Sequence, residues 1–309
     1  MKELSKLQEK NVVTLSETLT ILWEHKIFIS VFTFILSIII FLGSFFISDR
    51  YKSEAILAAA STNSTASNIL GDFSGIASVA GLNLPGSSSQ EKIDRGLEIL
   101  TSLYFFEKFS SRDNIFFNLV AVNGWDENDN KLLINSSIYD SNNEKWISKA
   151  KFSRNGRPSL QYAHRKFLKQ LSVEKVRSNG FINISFEHFS PFVAQQILES
   201  LILEINDVIK KDDVTKAENS INFLEEQIAT TQILEVRSGF TKLIQSQIET
   251  IMLANASPYY RFEILSPPVV PELKSSPNRI LIFILSILTG LFASSSFVYA
   301  KYIYRQSLN

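Results

Sequence analysis

The chain has 309 residues with 45% hydrophobic and 20% charged side chains, no cysteine, and 31 basic against 31 acidic residues. The lack of cysteine excludes a disulfide framework, a thiolate zinc site and a cysteine nucleophile. A formal net charge of zero provides no electrostatic footprint for a nucleic acid, so we expect no nucleic-acid partner.

Two long apolar segments lie near the ends of the chain. Residues 27–48 form 22 consecutive residues without a charge, and residues 280–300 form 21. A bilayer core about 30 Å thick needs about 20 helical residues at about 1.5 Å each, so both segments are predicted to be transmembrane helices. A pair of buried core helices is the soluble alternative, but such helices rarely stay free of charge over this length.

The first segment is predicted to stay in the membrane rather than to be cleaved as a signal peptide. It is longer than the usual apolar region of a signal peptide, about 7–15 residues, and a polar stretch of 26 residues precedes it. The sequence Asp49-Arg50-Tyr51-Lys52 follows it directly, in place of a small-residue cleavage site.

Two spans would place both ends of the chain on one side of the membrane. The predicted tails, residues 1–26 and 301–309, hold 6 Lys or Arg in 35 residues, whereas the loop at 49–279 holds 25 in 231. Because positive charge is denser in the tails, the positive-inside rule predicts that both tails are cytoplasmic. The loop then lies in the periplasm if the cell is Gram-negative, and it is long enough to bury its own core.

The loop shows strand and helix patterns in turn. A strand is predicted at 51–57, a helix at 91–109 from apolar residues at three- and four-residue steps, and a half-buried strand at 181–189 from alternation. Residues 58–90, rich in Ala, Ser, Gly and Asn, are predicted to form a mobile surface segment. The predicted fold class is α+β, with two transmembrane helices flanking a periplasmic α/β domain that has a small membrane-proximal sheet and a long late helix.

The longest regular pattern starts at Ser190, a predicted helix N-cap, and Pro191, which suits the first turn. We predict one helix at about 191–228, about 57 Å long, whose first half packs on a sheet and whose second half packs on another helix or another subunit. The apolar stripe turns to a new face midway, at the charged residues 210–213, which are assigned to a solvated helix face. The stripe consists of Leu198, Leu201, Ile205, Val208, Val214, Ala217, Ile221, Leu224 and Ile228.

The end of the loop is predicted to return to the membrane. A second helical pattern, from Phe240 to Ile251, follows Gly239 and can run back antiparallel, and a strand is predicted at 259–265. Residues 266–279 then hold four of the eight prolines, a density that favours extended geometry and a semi-rigid strut between domain and membrane. The strut prolines are Pro267, Pro268, Pro271 and Pro277.

Four segments of this layout resemble the Wzz-type chain-length determinants, which are polysaccharide co-polymerases of bacterial inner membranes, in the form without a cytoplasmic kinase. They are YKSEAIL at 51–57, GIASVAGLNL at 75–84, ISFEHFSPFVAQQILESLILEIN at 184–206 and ILSPPVVPELKSSPNRILIFILSILTG at 264–290. The last segment is the most specific of the four. The resemblance covers both ends of the chain and the late part of the loop, and residues 110–170 add little to it.

The resemblance implies a function. Such proteins form homo-oligomeric rings in the membrane and set the modal length of a polysaccharide, such as lipopolysaccharide O-antigen, that a Wzy-type polymerase builds on undecaprenyl-pyrophosphate. They catalyse no bond formation themselves. The four strut prolines match the family's Pro-rich strut. No Gly is followed by Lys, so the phosphate-cradling loop of relatives with a cytoplasmic kinase is missing from this sequence.

Small residues recur in the second predicted span. Ser286, Gly290 and Ser294 follow a small-xxx-small pattern, which allows two helices in a membrane to approach closely. Ser286 and Gly290 also match the small positions of the family. The alternative is that such residues are simply common in membrane spans.

A search for catalytic and metal-binding motifs gives no candidate site, so no catalytic, cofactor-binding or metal-binding residue is predicted. Ser172 and Lys175 fit Ser-x-x-Lys without its companion motifs, and a strand or loop is the simpler interpretation. Asp126, Asn128 and Asn130 begin like a calcium loop, but the sixth and twelfth positions do not fit. The three histidines, His25, His164 and His188, are too scattered to define a metal cluster.

The predicted function is therefore that of a non-catalytic scaffold that controls polysaccharide chain length, with membrane lipid as its surroundings. An adaptor for a capsule or exopolysaccharide exporter is the alternative from the same superfamily, although such adaptors usually carry a longer coiled-coil insertion. A two-span sensor should continue into a signalling domain, for which the nine residues after the second span leave no room. A membrane enzyme is disfavoured by the lack of a catalytic motif.

Overall fold

The computed structural model of the protein describes residues 15–60, 89–112, 114–147, 153–154, 156–176 and 180–308. The chain divides into two compact units. The span unit comprises Met1–Asp49 and Ser275–Asn309, and the loop domain comprises Arg50–Lys274. The predicted surface segment at 58–90 and the family segment at 75–84 lie largely or wholly outside the described residues.

Three helices make up the described part of the span unit. They are α1 (Leu15–Glu24), α2 (Lys26–Gly43), which continues into a 3-10 turn at Ser44–Phe46, and α9 (Arg279–Leu308). The helical stretches Lys26–Phe46 and Arg279–Arg305 are long and apolar enough to cross a membrane. Only 22% and 17% of the most apolar part of each is buried, which disfavours the soluble alternative of two core helices.

The loop domain mixes helices and strands, as the predicted α+β class requires. In chain order its described elements are β1 (Arg50–Ala59), α3 (Ser89–Thr101), α4 (Leu103–Ser110), α5 (Ile115–Val120), β2 (Val122–Asp126), β3 (Lys131–Ile134), β4 (Tyr139–Asp140), β5 (Lys145–Trp146), β6 (Ser153–Arg154), β7 (Arg157–Pro158), α6 (Leu160–Gln170), β8 (Leu171–Lys175), β9 (Ile182–His188), α7 (Pro191–Thr230), α8 (Leu234–Ala256) and β10 (Phe262–Ser266), followed by β11 (Lys274–Ser276) at the boundary of the two units.

The main sheet is antiparallel and has β1 at its centre. Its strand order is β10-β1-β9-β8, and β11 also pairs with β1. The side chains of β1 alternate, because Tyr51, Ser53, Ala55 and Leu57 are buried and the residues between them face outward. One face of the sheet is therefore covered by the core and the other is polar. Short two-stranded pairings, β2-β3, β4-β5 and β6-β7, lie in the middle of the domain sequence.

A cluster of phenylalanine rings fills the space between the sheet and its helices. Phe106 of α4 and Phe167 of α6 have ring centroids 5.1 Å apart, and Phe167 lies 6.1 Å from Phe186 of β9. All three side chains are fully buried, as are Phe105 and Phe109, whose rings stack at 5.7 Å. Close-packed aromatic side chains bury large apolar areas, so this cluster anchors the helices to the sheet.

The long helix α7 starts where the sequence predicts. The hydroxyl of Ser190 accepts a hydrogen bond from the backbone N–H of Val193, and Pro191 is in the first turn. The buried stripe runs continuously to Ile209 and contacts β1 and β9, whereas beyond it only Ala217 and Leu224 are buried in α7. This confirms that the first half packs on the sheet, and the second half packs against α8.

Two helix boundaries differ from the sequence-based expectation. The predicted helix at 91–109 is two helices, because the hydroxyl of Ser102 accepts a hydrogen bond from the N–H of Phe105 at 3.1 Å and caps a new helix. The helix predicted from Phe240 onwards begins earlier, at Leu234, so that Gly239 lies inside it. Gly239 has open space around its α-carbon, so a helix tolerates it there.

A buried histidine links β9 to the start of α7. The ring of His188 is fully buried. Its Nδ1 accepts a hydrogen bond from the N–H of Ser190 at 3.1 Å, so Nε2 carries the proton of the neutral ring and donates to the carbonyl of Asn118 at 3.2 Å. Burial lowers the pKa of His188 from 6.5 to about 4.

The loop domain should lose stability on mild acidification. The folded state favours the neutral ring of His188, so its contribution is complete above about pH 6.5 and declines as the pH falls towards 4, by about 3 kcal/mol in total. Urea unfolding of the full chain in detergent, followed between pH 7.5 and pH 4.5, measures this slope. We expect His188→Gln to flatten this slope and His164→Gln, which replaces a half-buried histidine, to leave it unchanged. Equal slopes in all three proteins would contradict the assignment.

Candidate assembly surfaces

The described part of the chain holds no group of three or more His, Asp or Glu side chains that could bind a metal ion. Ser172 and Lys175 lie in strand β8, as the simpler interpretation predicts, and Lys175 forms an ion pair with Asp94. Asp126 accepts a hydrogen bond from the N–H of Asn128 within the β2-β3 turn. These polar groups stabilise local structure. The candidate functional sites considered next are therefore the surfaces by which parts of the chain pack against each other or against another molecule.

Small residues lie between the two spans. The hydroxyl of Thr33 in α2 is 3.3 Å from the hydroxyl of Ser294 in α9, and both side chains are buried. A β-carbon added to Gly290 would meet Cγ2 of Thr33 at 3.0 Å and its Cα at 3.1 Å, so only glycine fits without displacing the facing helix. Ser286 is also buried and donates to the carbonyl of Phe283. The structure thus places Ser286, Gly290 and Ser294 on the face of α9 that is turned towards α2.

An ion pair joins the loop-side ends of the two spans. Arg279, the first residue of α9, donates from Nη2 to Oδ1 of Asp49 at 2.8 Å, and its guanidinium lies 4.6 Å from the ring centroid of Phe45. Both charged side chains are partly buried, at 32% and 23% exposure, so the pair is less screened by water than a surface ion pair. It fixes where each helix enters the loop side of the membrane.

The Pro-rich segment is tied to the sheet rather than free along its length. The buried hydroxyl of Ser53 in β1 donates to the carbonyl of Val269 at 2.8 Å. Pro268 is buried, Pro267 is exposed, and Pro271 and Pro277 are half-buried. The segment also contains the short strand β11, so part of its extended backbone belongs to a sheet and is not solvated.

The charged segment at 210–213 is only partly a solvated helix face. The carboxylate of Asp213 is only 15% exposed. It accepts a hydrogen bond from Nη2 of Arg261 at 2.5 Å and another from the hydroxyl of Tyr260 at 3.1 Å. Burial and the neighbouring Asp213 carboxylate raise the pKa of the Tyr260 hydroxyl to about 12. The expectation of a solvated face is therefore wrong for Asp213, because charge partners 48 residues later in the chain are invisible to a local pattern.

The side-chain amide of Asn206 joins the middle of α7 to β10. Its Oδ1 accepts from the backbone N–H of Arg261 at 2.7 Å and of Phe262 at 2.8 Å. Its Nδ2 donates to the carbonyls of Phe262 and Ile202. Asn206 is fully buried, and all its hydrogen-bonding capacity is used. Sequence reasoning missed this residue, although a polar residue next to Ile205 in a buried stripe is the signal that could have identified it.

The helical hairpin beyond Ile209, formed by the second half of α7 and by α8, buries few of its apolar side chains. In α8 only Ala254 is buried among the residues of the helix. Ile248 and Met252 lie one helical turn apart with exposures of 45% and 67%, and Leu234 at the tip has 75%. A helix pair that packs only on itself leaves apolar surface in water, which costs free energy unless another chain covers it.

Several solved structures are similar to this chain, among them two with the following descriptions. The first is described as "full-length bacterial polysaccharide co-polymerase", with 13% identity and a TM-score of 0.36, covering 95% of this chain and 99% of that one. The second is "Fragment of WzzB, Polysaccharide Co-polymerase from Salmonella Typhimurium", with 14% identity and a TM-score of 0.27, covering 74% of this chain and all of that one. Both TM-scores are below 0.5. No family model and no curated protein matches the chain.

The contact between the two spans can be tested by a disulfide, because the chain has no cysteine of its own. The variant Thr33→Cys with Ser294→Cys should cross-link on mild oxidation in membranes, since the two hydroxyls it replaces are 3.3 Å apart. A cut between the spans then separates two fragments only under reducing conditions. Ile35→Cys with Ser294→Cys is the control, because Ile35 is exposed. Cross-linking of the control but not of the first pair would contradict this helix packing.

Proposed function

We propose that this chain is a non-catalytic inner-membrane scaffold that regulates the modal chain length of a surface polysaccharide, such as lipopolysaccharide O-antigen, made by a Wzy-type polymerase. The observation that carries the proposal is that three of the four family-like segments form connected elements of the described structure. Residues 51–57 lie in the central strand, residues 184–206 form the junction of β9 and α7, and residues 264–290 connect β10 to the second span.

The use of the polar side chains supports a structural role. Asn206 and Asp213 bind the chain around β10, and the buried Glu204 pairs with Arg112 at 2.7 Å. Burial raises the pKa of Glu204, and the positive charge of Arg112 opposes that shift. The side chains of Asn206, Asp213 and Glu204 are each bound by partners from another part of the chain. They therefore stabilise the fold and are not available to bind a substrate.

The proposed assembly is a homo-oligomeric ring in the membrane. Its support is the half-covered apolar surface of the hairpin, which a second copy of the same helix pair would bury. Pro267, Pro268, Pro271 and Pro277 are proposed to fix the spacing between the loop domain and the second span. Ser286, Gly290 and Ser294 are proposed to set the close packing of the two spans.

In this proposal both termini are cytoplasmic and the loop domain is periplasmic. The denser positive charge of the tails supports that orientation. The Wzy-type polymerase and the polysaccharide linked to undecaprenyl-pyrophosphate would then meet the periplasmic surface of the ring. The scaffold would act by holding polymerase, growing chain or both at a set geometry.

Deletion of the gene, followed by a gel of the surface polysaccharide, tests this function. Loss of the modal banding, with random short lengths in its place, is the expected result, and the full chain supplied from a plasmid should restore the mode. Complete loss of surface polymer would instead favour the exporter adaptor. An unchanged ladder would contradict both functions.

A further inference from the structure

The outer face of the main sheet, turned away from the phenylalanine cluster, carries a shallow groove of about 210 Å³. Three strands form its floor. The pairing register places Glu54, Ser185 and Ser172 in one row across β1, β9 and β8, and Ile56, Asn183 and Glu174 in the next. Neighbouring strands lie about 4.8 Å apart, so the two rows present closely spaced polar groups over a strip about 10 Å wide.

The groove contains a nearly buried hydroxyl that the protein itself leaves without a partner. Ser185 is only 9% exposed, lines the groove, and its hydroxyl makes no hydrogen bond within the described residues. The hydroxyl oxygen of Ser185 is not one of the fully enclosed atoms without a partner, so a ligand or a water molecule in the groove can reach it. The amide of Asn183 on the same strand is exposed to the groove and likewise bonds to no described residue.

The charges of the groove select against an acidic ligand. Lys52 is its one lysine or arginine, and its ammonium forms an ion pair with Glu54 at 2.6 Å. The carboxylate of Glu174 lines the opposite strand, so the groove as a whole has a negative charge. A carboxylate accepts hydrogen bonds, a serine hydroxyl and an asparagine amide both donate and accept, and none of them requires a charged partner.

The apolar part of the groove suits a ring with C–H groups on its face. Ile56, 39% exposed, lies in the same row as Asn183 and Glu174. A few convergent polar groups beside an apolar surface is the usual composition of a small-ligand site. A sugar unit combines ring C–H groups with hydroxyls that both donate and accept, which is the chemistry that this groove offers.

We propose that the groove binds a neutral saccharide segment of the polysaccharide whose length the chain regulates. The assignment rests on the proposed function, because that function is the reason to expect a polysaccharide near the chain. The preference for a neutral unit is inferred from the groups that line the groove. A single open site of this size would bind weakly. Several copies in one assembly would raise the effective affinity for a long chain, because each further site binds a chain that is already held.

The test measures glycan binding by the full chain in lipid nanodiscs. The probe is an oligosaccharide of two repeating units, prepared from the strain's own surface polysaccharide, observed by saturation-transfer NMR. We expect a signal with the natural chain and at least a tenfold loss of affinity in the double variant Asn183→Ala with Ser185→Ala. The matched control is Asn219→Ala with Asn222→Ala, two exposed residues of α7, which should bind normally.

Two outcomes would overturn the groove assignment. One is no signal with the natural chain, and the other is an undiminished signal with the double variant. Circular dichroism shows whether each variant is folded, and Glu174→Gln is a second variant that alters the groove without removing a buried group. If the binding test fails while gene deletion still abolishes the modal banding, only the assignment of the groove is refuted. An unchanged ladder after deletion refutes the proposed function instead.

Discussion

One buried amide holds the long helix to the last strand of the main sheet, and the arrangement of the loop domain depends on it. Asn206 lies between the half of α7 that packs on the sheet and the half that packs mainly against α8. Its four hydrogen bonds satisfy two backbone N–H groups and two carbonyls. Without the amide, the backbone at the start of β10 would lose partners inside the core, at a cost of about 1–3 kcal/mol per group. The hairpin therefore leaves the sheet at a defined point.

Three regions away from this amide differ in how they use their side chains. Beyond Ile209, the hairpin has the support of a single neighbouring helix, so its apolar residues stay half-covered. In the span unit, Gly290 and the hydroxyls of Thr33 and Ser294 allow close packing that larger side chains would prevent. On the sheet, Ser185 directs an unpartnered hydroxyl into the groove. A packed core that carries a half-covered helical hairpin and a polar groove is consistent with the proposed scaffold.

The sequence predicts most of the fold, because the features that define it are local. Charge-free stretches predict the spans, Ser190 and Pro191 predict the start of α7, and the shift of its apolar stripe predicts the change of packing partner. The missed features depend on distant residues or on a single hydrogen bond. Asp213 pairs with Arg261 and Asn206 binds the backbone at 261–262, contacts that no local pattern reveals. The groove arises from the register of β1 with β9 and β8, two strands that come much later in the chain.

The most direct test of the scaffold is the mass of the purified particle. Introducing two charges on the exposed face of α8, by Ile248→Glu with Met252→Glu, places carboxylates where a second copy is proposed to pack. Asn219→Glu with Asn222→Glu adds the same charge to an exposed, polar face of α7. Mass photometry in nanodiscs should show a multi-copy particle for the natural chain and for the α7 variant, and a single copy for the α8 variant. A single copy for the natural chain, or an unchanged mass for the α8 variant, would contradict an assembly formed through the hairpin.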